Sequence, residues 1–285
     1  MLFLRTHRVV RLTQPRSIVR CRQEARIVKL TLSHMIRMIR SIWVWSATTT
    51  LVLLWVPLLA VVRLVDRGPL RLRTGRWFRR LGRVVVKVSP WQIQISGREN
   101  LKRNQAYIIV SNHQSLADIP VIAHLMLDTK WLAKAELFRL PVVGWMLRMA
   151  GDVPVDRSDR RKGAKAMLQC GRYLRQGCSV VFFPEGTRSA DGEVAPFNEG
   201  PFVLAIRERA PILPLVVEGS GQALPRKSWI FGGTQDIYLQ VLDALSVDGW
   251  TIKQSAELRD EVRRRIVDEL RRRKRATEPS GQRLP

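Results

Sequence analysis

His113 and Asp118, in Ser111-Asn-His-Gln-Ser-Leu-Ala-Asp118, are the first residues whose types and spacing could do chemistry. An imidazole is a base near neutral pH, and a neighbouring carboxylate can fix its tautomer and stabilise its charged form. On one continuous helix a five-residue step would set the two side chains about 140° apart, so they meet only if a turn intervenes. Pro120 favours a helix beginning near Asp118, which leaves His113 on the preceding loop. Taken alone, the pair also fits a satisfied loop histidine and a helix cap. A second polar turn, Pro184-Glu-Gly-Thr-Arg-Ser189, follows the apolar run Ser179 to Phe183. Ser111 and Ser115 are competing nucleophiles that would make a hydrolase with a covalent intermediate, although no G-x-S-x-G elbow occurs in the chain.

Both turns need strands that deliver them. Ala106 to Val110 and Ser179 to Phe183 are short, apolar and rich in β-branched or aromatic residues, as buried strands are. Trp91 to Ser96 alternates as a half-exposed strand should, and Lys130 to Ala133, Val153 to Val155, Ile212 to Val217 and Ile237 to Val241 complete about seven. Helical patterns fill the gaps at Pro120 to Leu127, Leu137 to Met149, Arg160 to Arg175, Pro201 to Arg209 and Ser255 to Arg273. The alternation predicts an α/β domain with a mixed or mostly parallel sheet flanked by helices, with no internal repeat. Strand exits are where such folds build their sites.

The chain has 285 residues and a net charge of +25. That charge is concentrated at the N-terminal end. Residues 1–40 hold ten Lys/Arg against Glu24, and residues 41–99 hold ten against Asp66 and Glu99. Residues 100–220 are nearly balanced, which argues against a nucleic-acid-binding domain, the remote alternative raised by the basic excess. Ile42 to Val62 is uncharged and contains Trp43, Trp45, Trp55 and Pro57; it suits a membrane span, a re-entrant helix or an interfacial helix. Trp77, Phe78, Leu81, Val84, Val85 and Val88 then recur on one helical face, with arginines on the other, as in a helix lying on anionic lipid. The expected organisation is a basic N-terminal extension at 1–40, either disordered or an upstream addition; a membrane-associated helical pair at 41–89; the α/β domain at 90–250; and a C-terminal helix with a basic tail at 251–285. Met35 and Met38 offer alternative translation starts, and no cleavable signal peptide is recognisable. Cys21, Cys170 and Cys178 lack disulfide or metal spacing, so no metal is expected and a reducing compartment fits. Cys178 reads as a small buried hydrophobe rather than an acyl-carrying thiol.

Asn112 to Asp118 followed by Phe183 to Ser189 resembles the glycerolipid acyltransferase family, whose best-known members acylate 1-acylglycerol-3-phosphate. Lys134-Ala-Glu-Leu137, Pro141, Gly144 and Gly151 to Arg157 match its second motif, and Pro211 to Gly219 its fourth, in the family's order. The resemblance implies a membrane enzyme with its catalytic domain on the cytoplasmic side of the inner (plasma) membrane. Acyl-CoA or acyl-carrier protein would be the donor substrate and a lyso-lipid the acceptor, with no bound cofactor. His113 would be the general base, oriented by Asp118, and Glu185, Gly186, Thr187 and Arg188 would hold the glycerol phosphate, with Arg157 and Lys134 as secondary contacts. An arginine fork suits phosphate oxygens, Gly186 allows a close turn, Thr187 offers a hydroxyl, and Glu185 either accepts from the glycerol or orients Arg188. In Phe197-Asn-Glu-Gly200, Glu199 stands where the family commonly has lysine. That reversal keeps a lyso-aminolipid open as an alternative acceptor, and a catalytically silent scaffold is a third class against which intact His113, Asp118 and Arg188 count.

Overall fold

The computed structural model describes residues 16–102, 104–156, 158–189 and 191–277. Seven strands form one sheet: β1 Trp91–Ser96, β2 Ile108–Ser111, β3 Thr129–Lys134, β4 Val153–Val155, β5 Ser179–Phe182, β6 Ile212–Glu218 and β7 Gln235–Val241. Their order is β1-β7-β6-β2-β5-β3-β4. β6, β2, β5, β3 and β4 run parallel, β7 is antiparallel to β6, and β1 is parallel to β7. The sheet is thus mixed and mostly parallel, as the sequence predicts.

Successive residues of the central strands face opposite layers. Ile108 and Val110 of β2 pack with α5 (Arg160–Arg175), α6 (Gly200–Glu208) and α8 (Ser255–Thr277) through Cys170, Phe202, Val262 and Ile266. Tyr107 and Ile109 face the other layer, which holds Val121 and Ile122 of α3 (Asp118–Ile122) and Ala223 of α7 (Ser220–Ala223). Burial on both faces explains why these strands read as unbroken apolar runs. The chain leaves β2 for β3 on one side and β5 for β6 on the other. A crevice therefore opens between the C-terminal ends of β2 and β5, the place where open α/β sheets bind ligands.

The predicted helix Leu137 to Met149 divides into a 3₁₀ turn, Ala135–Arg139, and α4, Val143–Ala150. Pro141 is the cause, because it donates no hydrogen bond and biases Leu140 away from helix. The three-residue turn that follows closes with Val143 N–H donating to Pro141 O at 2.7 Å and holds Val142 at φ 64°. A β-branched residue there carries about 1–3 kcal/mol of strain.

The N-terminal part differs most from expectation. Residues 1–15 lie outside the described residues, but α1 runs from Arg16 to Val65, straight through the expected boundary at residue 40. No glycine or proline occurs between Arg16 and Val56 to stop it. Its stretch Thr31–Val65 is long and apolar enough to cross a membrane, and few of its residues are buried, unlike a core helix. α2, Leu72–Val88, folds back along it, and Leu59 of α1 packs with Leu81 of α2 and Met146 of α4. The basic face of α2 is not simply solvated or lipid-facing, as its pattern suggested. Arg79 is 7% exposed and forms an ion pair with buried Asp152, whose carboxylate also accepts from Trp131 N–H at 2.9 Å. Its guanidinium lies 5.0 Å from the Trp131 ring centroid. Arg76 makes two hydrogen bonds of 2.6 Å to Asp128. Buried Lys130 donates to Ala150 O at 2.6 Å beside this pair, and burial lowers its pKa. A division at residue 89 therefore cuts through a buried charged contact.

Removing one partner of a buried ion pair strands the other. Arg79→Ala is accordingly expected to cost about 3–5 kcal/mol. Arg80→Ala, at an exposed guanidinium 4.7 Å from the Trp77 ring centroid, should cost less than about 1 kcal/mol. Urea unfolding of the two variants checks this contrast, and equal costs would refute the docking role assigned to Arg79.

Candidate active site

His113 leaves the C-terminal end of β2 on the loop before α3, and the turn back into α3 brings it to Asp118. His113 Nδ1 is 2.7 Å from Asp118 Oδ2. The same oxygen accepts the backbone N–H of Gln114 at 2.8 Å and of Ser115 at 3.0 Å. Asp118 is fully buried, and its Oδ1 has no hydrogen-bond partner among the described residues. A carboxylate only accepts, so this contact assigns the proton to Nδ1 and leaves the Nε2 lone pair free. The imidazole stacks on Phe183, with centroids 4.0 Å apart and planes at 20°.

The second turn grips the first. Pro184 and Gly186 suit a β-turn closed by Gly186 N–H to Phe183 O at 3.0 Å, with Gly186 at φ 77°. Glu185 Oε1 accepts from His113 N–H at 2.7 Å, and its Oε2 accepts from Ala195 N–H at 3.0 Å. Ser189 N–H donates to His113 O at 2.8 Å. The backbone of His113 is thus held through both its donor and its acceptor. Asn112 anchors the loop from the other side, exchanging two 2.8 Å hydrogen bonds with Val217 of β6. Burial pushes the Glu185 carboxyl above its ordinary value of 4.5, against the opposing pull of the Ala195 and His113 amides.

The sequence-derived residues fare differently. His113 and Asp118 meet. Glu185 is a brace between loops: each of its oxygens accepts a backbone amide, and it makes no hydrogen bond to Arg188. Arg188 is half-buried, and its guanidinium has no hydrogen-bond partner among the described residues. Thr187 is exposed and its hydroxyl accepts from Arg226 at 3.2 Å. Lys134 ends β3 on the same edge of the sheet, 3.1 Å from Glu136 at the surface, and Arg157 lies outside the described residues. Ser115 is fully buried and donates to Leu224 O at 2.7 Å, while buried Ser111 donates to Asn112 O at 2.9 Å. Neither hydroxyl is engaged with His113, which removes the geometry that a serine nucleophile needs. Burial pushes the Cys178 thiol up to about 11, which leaves it protonated at neutral pH. The Glu199 carboxylate accepts from Ser255 at the start of α8, so the reversed charge secures a helix contact.

Sequence reasoning missed Arg226. Its guanidinium donates to Arg188 O at 2.7 Å as well as to Thr187, from a loop 38 residues downstream with no motif spacing to mark it. Two cavities flank the site. One of about 250 Å³ is lined by Leu132, Val155, Met167, Phe182 and Phe183. The other, about 370 Å³, is lined by Gln114, Ser189, Gly221, Pro225 and Arg226. The first is mainly apolar but also lined by Asp156, Asp159 and Arg160, and the second sets Arg226 beside Asp191 and Glu218; the two reach the turns that hold His113 through Phe183 and Gln114.

A family model described as Acyltransferase matches residues 92–218. The chain is 30% identical over 197 residues to a 1-acyl-sn-glycerol-3-phosphate acyltransferase of Limnanthes alba, covering 68% of this chain and 69% of that protein. It is 34% identical to the chloroplastic enzyme BAT2 of Brassica napus over 59% of this chain and 51% of the relative. The match spans about half or less of the first curated relatives. The crystal structure of the 1-acyl-sn-glycerophosphate (LPA) acyltransferase PlsC from Thermotoga maritima superposes with a TM-score of 0.71 at 25% identity, covering 84% of this chain and 97% of that one.

Because Glu185 binds its proton more tightly in the folded state than in the unfolded chain, its contribution to stability is greatest below pH 4.5 and is lost as pH rises through the folded-state value. The stability difference between wild type and Glu185→Gln should therefore move in the variant's favour as pH is raised from mildly acidic to neutral. Denaturant unfolding at a series of pH values tests this, and a pH-independent difference would contradict the buried carboxyl.

Proposed function

The chain belongs to the acyltransferase family that includes the 1-acyl-sn-glycerol-3-phosphate acyltransferases, and from that premise we propose that it acylates the free hydroxyl of 1-acylglycerol-3-phosphate to give phosphatidic acid. The observation that carries the reading is His113 held by Asp118 beside the turn that bears Arg188. His113 Nε2 takes the acceptor hydroxyl proton as that oxygen attacks the carbonyl of an acyl thioester. The new C–O bond forms, the C–S bond breaks, and the proton passes from the imidazolium to the departing thiolate. Asp118 keeps the ring in the productive tautomer. No acyl-enzyme is required, in keeping with the engagement of Ser111 and Ser115 elsewhere.

Arg188 is the proposed phosphate ligand, because its fork can take two oxygens on a turn whose main chain is fixed by Glu185 and Ser189. Gly186 and Thr187 shape that turn, and Lys134 and Arg157 are proposed as secondary cationic contacts. The apolar cavity along Phe182 and Phe183 suits an acyl chain. The donor is acyl-CoA or acyl-carrier protein, bound as a substrate. Glu199, turned to Ser255, gives no support to the lyso-aminolipid alternative.

α1 packs against the protein on one side and turns Leu53, Leu54, Leu58, Val61 and Leu64 outward on the other. We place that face in the bilayer, with the helix lying along the membrane rather than threading it. We propose the cytoplasmic face of the membrane for the domain, where anionic lipid would meet the arginine-rich segments around α1.

The direct test offers the purified full chain a panel of lyso-lipids with acyl-CoA and acyl-carrier-protein donors. Transfer to lipids without a phosphomonoester in preference to lysophosphatidate would overturn the acceptor assignment. His113→Ala should lower turnover by ~10²–10⁴ while the protein stays folded, and Asp118→Asn should be severely impaired through the wrong tautomer. Arg188→Lys should raise acceptor KM for lysophosphatidate and leave donor KM unchanged. Equal losses on phosphate-bearing and phosphate-free acceptors would reject phosphate gripping.

A further inference from the structure

We propose that Arg226 is a positioning residue for Arg188, and that the loop carrying it, residues 224–232, is a strap through which α1 sets the geometry of the phosphate turn. The proposal rests on Arg188 being the phosphate ligand. Its basis is a chain of contacts that no motif predicts.

At one end of the strap the Arg226 fork holds two acceptors on adjacent residues, Arg188 O at 2.7 Å and Thr187 Oγ1 at 3.2 Å. Glu185 and Ser189 fix the turn on the His113 side, but the main chain between them, at Thr187 and Arg188, is tied by Arg226. The bond to Arg188 O restrains the residue whose guanidinium must reach the phosphate. Arg226 itself is exposed and lines the polar cavity, so no close packing fixes it there. Its position comes from the strap.

At the other end the strap is bound to α1. Phe231 N–H donates to Ser41 Oγ at 2.9 Å, Trp45 Nε1 donates to Trp229 O at 2.7 Å, and Arg40 donates to Gly232 O at 3.3 Å. Ser41 is fully buried, and Phe231, 3% exposed, lies between Trp45 and Trp91 with ring centroids at 5.4 and 5.6 Å. Gly232 N–H to Ala223 O at 2.9 Å closes the base of the strap. A Cβ at Gly232 would meet Gln222 O at 2.2 Å, so the closure demands glycine. Displacing α1 at residues 40–45 therefore pulls on the same loop that holds the Arg188 turn. The helix proposed to sit in lipid is thereby mechanically connected to acceptor recognition.

The clamp needs two donors in a fork, which distinguishes it from a second phosphate-binding charge. In the full chain reconstituted in mixed phosphatidylethanolamine and phosphatidylglycerol vesicles, Arg226→Ala should raise lysophosphatidate KM by about tenfold, the loss of two modest hydrogen bonds. Arg226→Lys should recover only part of this, since an ammonium cannot reproduce the fork. Donor KM and turnover on a phosphate-free lyso-lipid should be unchanged. Ser41→Val and Trp45→Phe should raise the same KM by a smaller factor, and combining either with Arg226→Ala should add nothing. Amide hydrogen exchange provides a readout that needs no activity. The Ser189 amide should lose protection in Arg226→Ala and, to a lesser degree, in Trp45→Phe, while the amides of β5 keep theirs. Full recovery by lysine would show a charge contact in place of the clamp and overturn the proposal. Additive effects of the α1 and Arg226 substitutions would disprove the strap. Arg188→Ala serves as the reference: if it leaves lysophosphatidate KM unaltered, the phosphate reading itself fails, whereas an effect of Arg188→Ala without one of Arg226→Ala defeats only the positioning role.

Discussion

One carboxylate oxygen governs the site. Asp118 Oδ2 accepts three N–H groups, from the His113 ring and from the backbones of Gln114 and Ser115. The two amide bonds fold the loop into the turn that brings the ring within reach, and the third fixes which nitrogen carries the proton. The interaction that builds the loop is therefore the one that sets the imidazole's chemistry. Burial of Asp118 removes competition from water, which strengthens each of these contacts.

Glu185 extends the same logic to the neighbouring strand. β2 and β5 are adjacent and parallel, so their C-terminal ends present two loops side by side. Parallel pairing alone would leave those loops independent. Glu185 accepts from His113 N–H, and His113 O accepts from Ser189 N–H, so His113 and the Arg188 turn are held at a fixed separation. The proposed reaction, which joins a hydroxyl to a carbonyl while a phosphate is anchored nearby, would require such a separation. The desolvation of Glu185 opposes its ionisation, and the two amide bonds offset part of that cost.

Much of this was legible in the sequence, and the omissions have a common cause. The strands emerged because burial on both faces makes them continuous apolar runs, and the His113–Asp118 turn emerged because Pro120 marks where α3 starts. Patterning reports which side of an element is polar, but not what that polar side meets. Arg79 looked like one more basic residue on an amphipathic helix, yet it pairs with Asp152, 73 positions away, in the interior. Glu199 looked like a charge reversal in a substrate path and is a tie to Ser255. Arg226 stands in a loop without periodicity, so nothing local distinguishes it from other surface arginines. In each case a long-range partner decides the role.

The same partners pack the N-terminal helices against the α/β domain. α2 carries Arg79 into the layer against β3, beside Lys130, so the buried Asp152 carboxylate lies within a cluster that draws on both segments. α1 in turn packs on α2 and α4 through residues 51–59, towards its C-terminal end, and on the strap near residue 41 at its middle. A helix tied to the domain at both places cannot move in a bilayer without the domain following it. On the proposed reading, with α1 in the lipid and Arg188 as the phosphate ligand, a lipid acceptor and the groups that recognise it would be held at one depth.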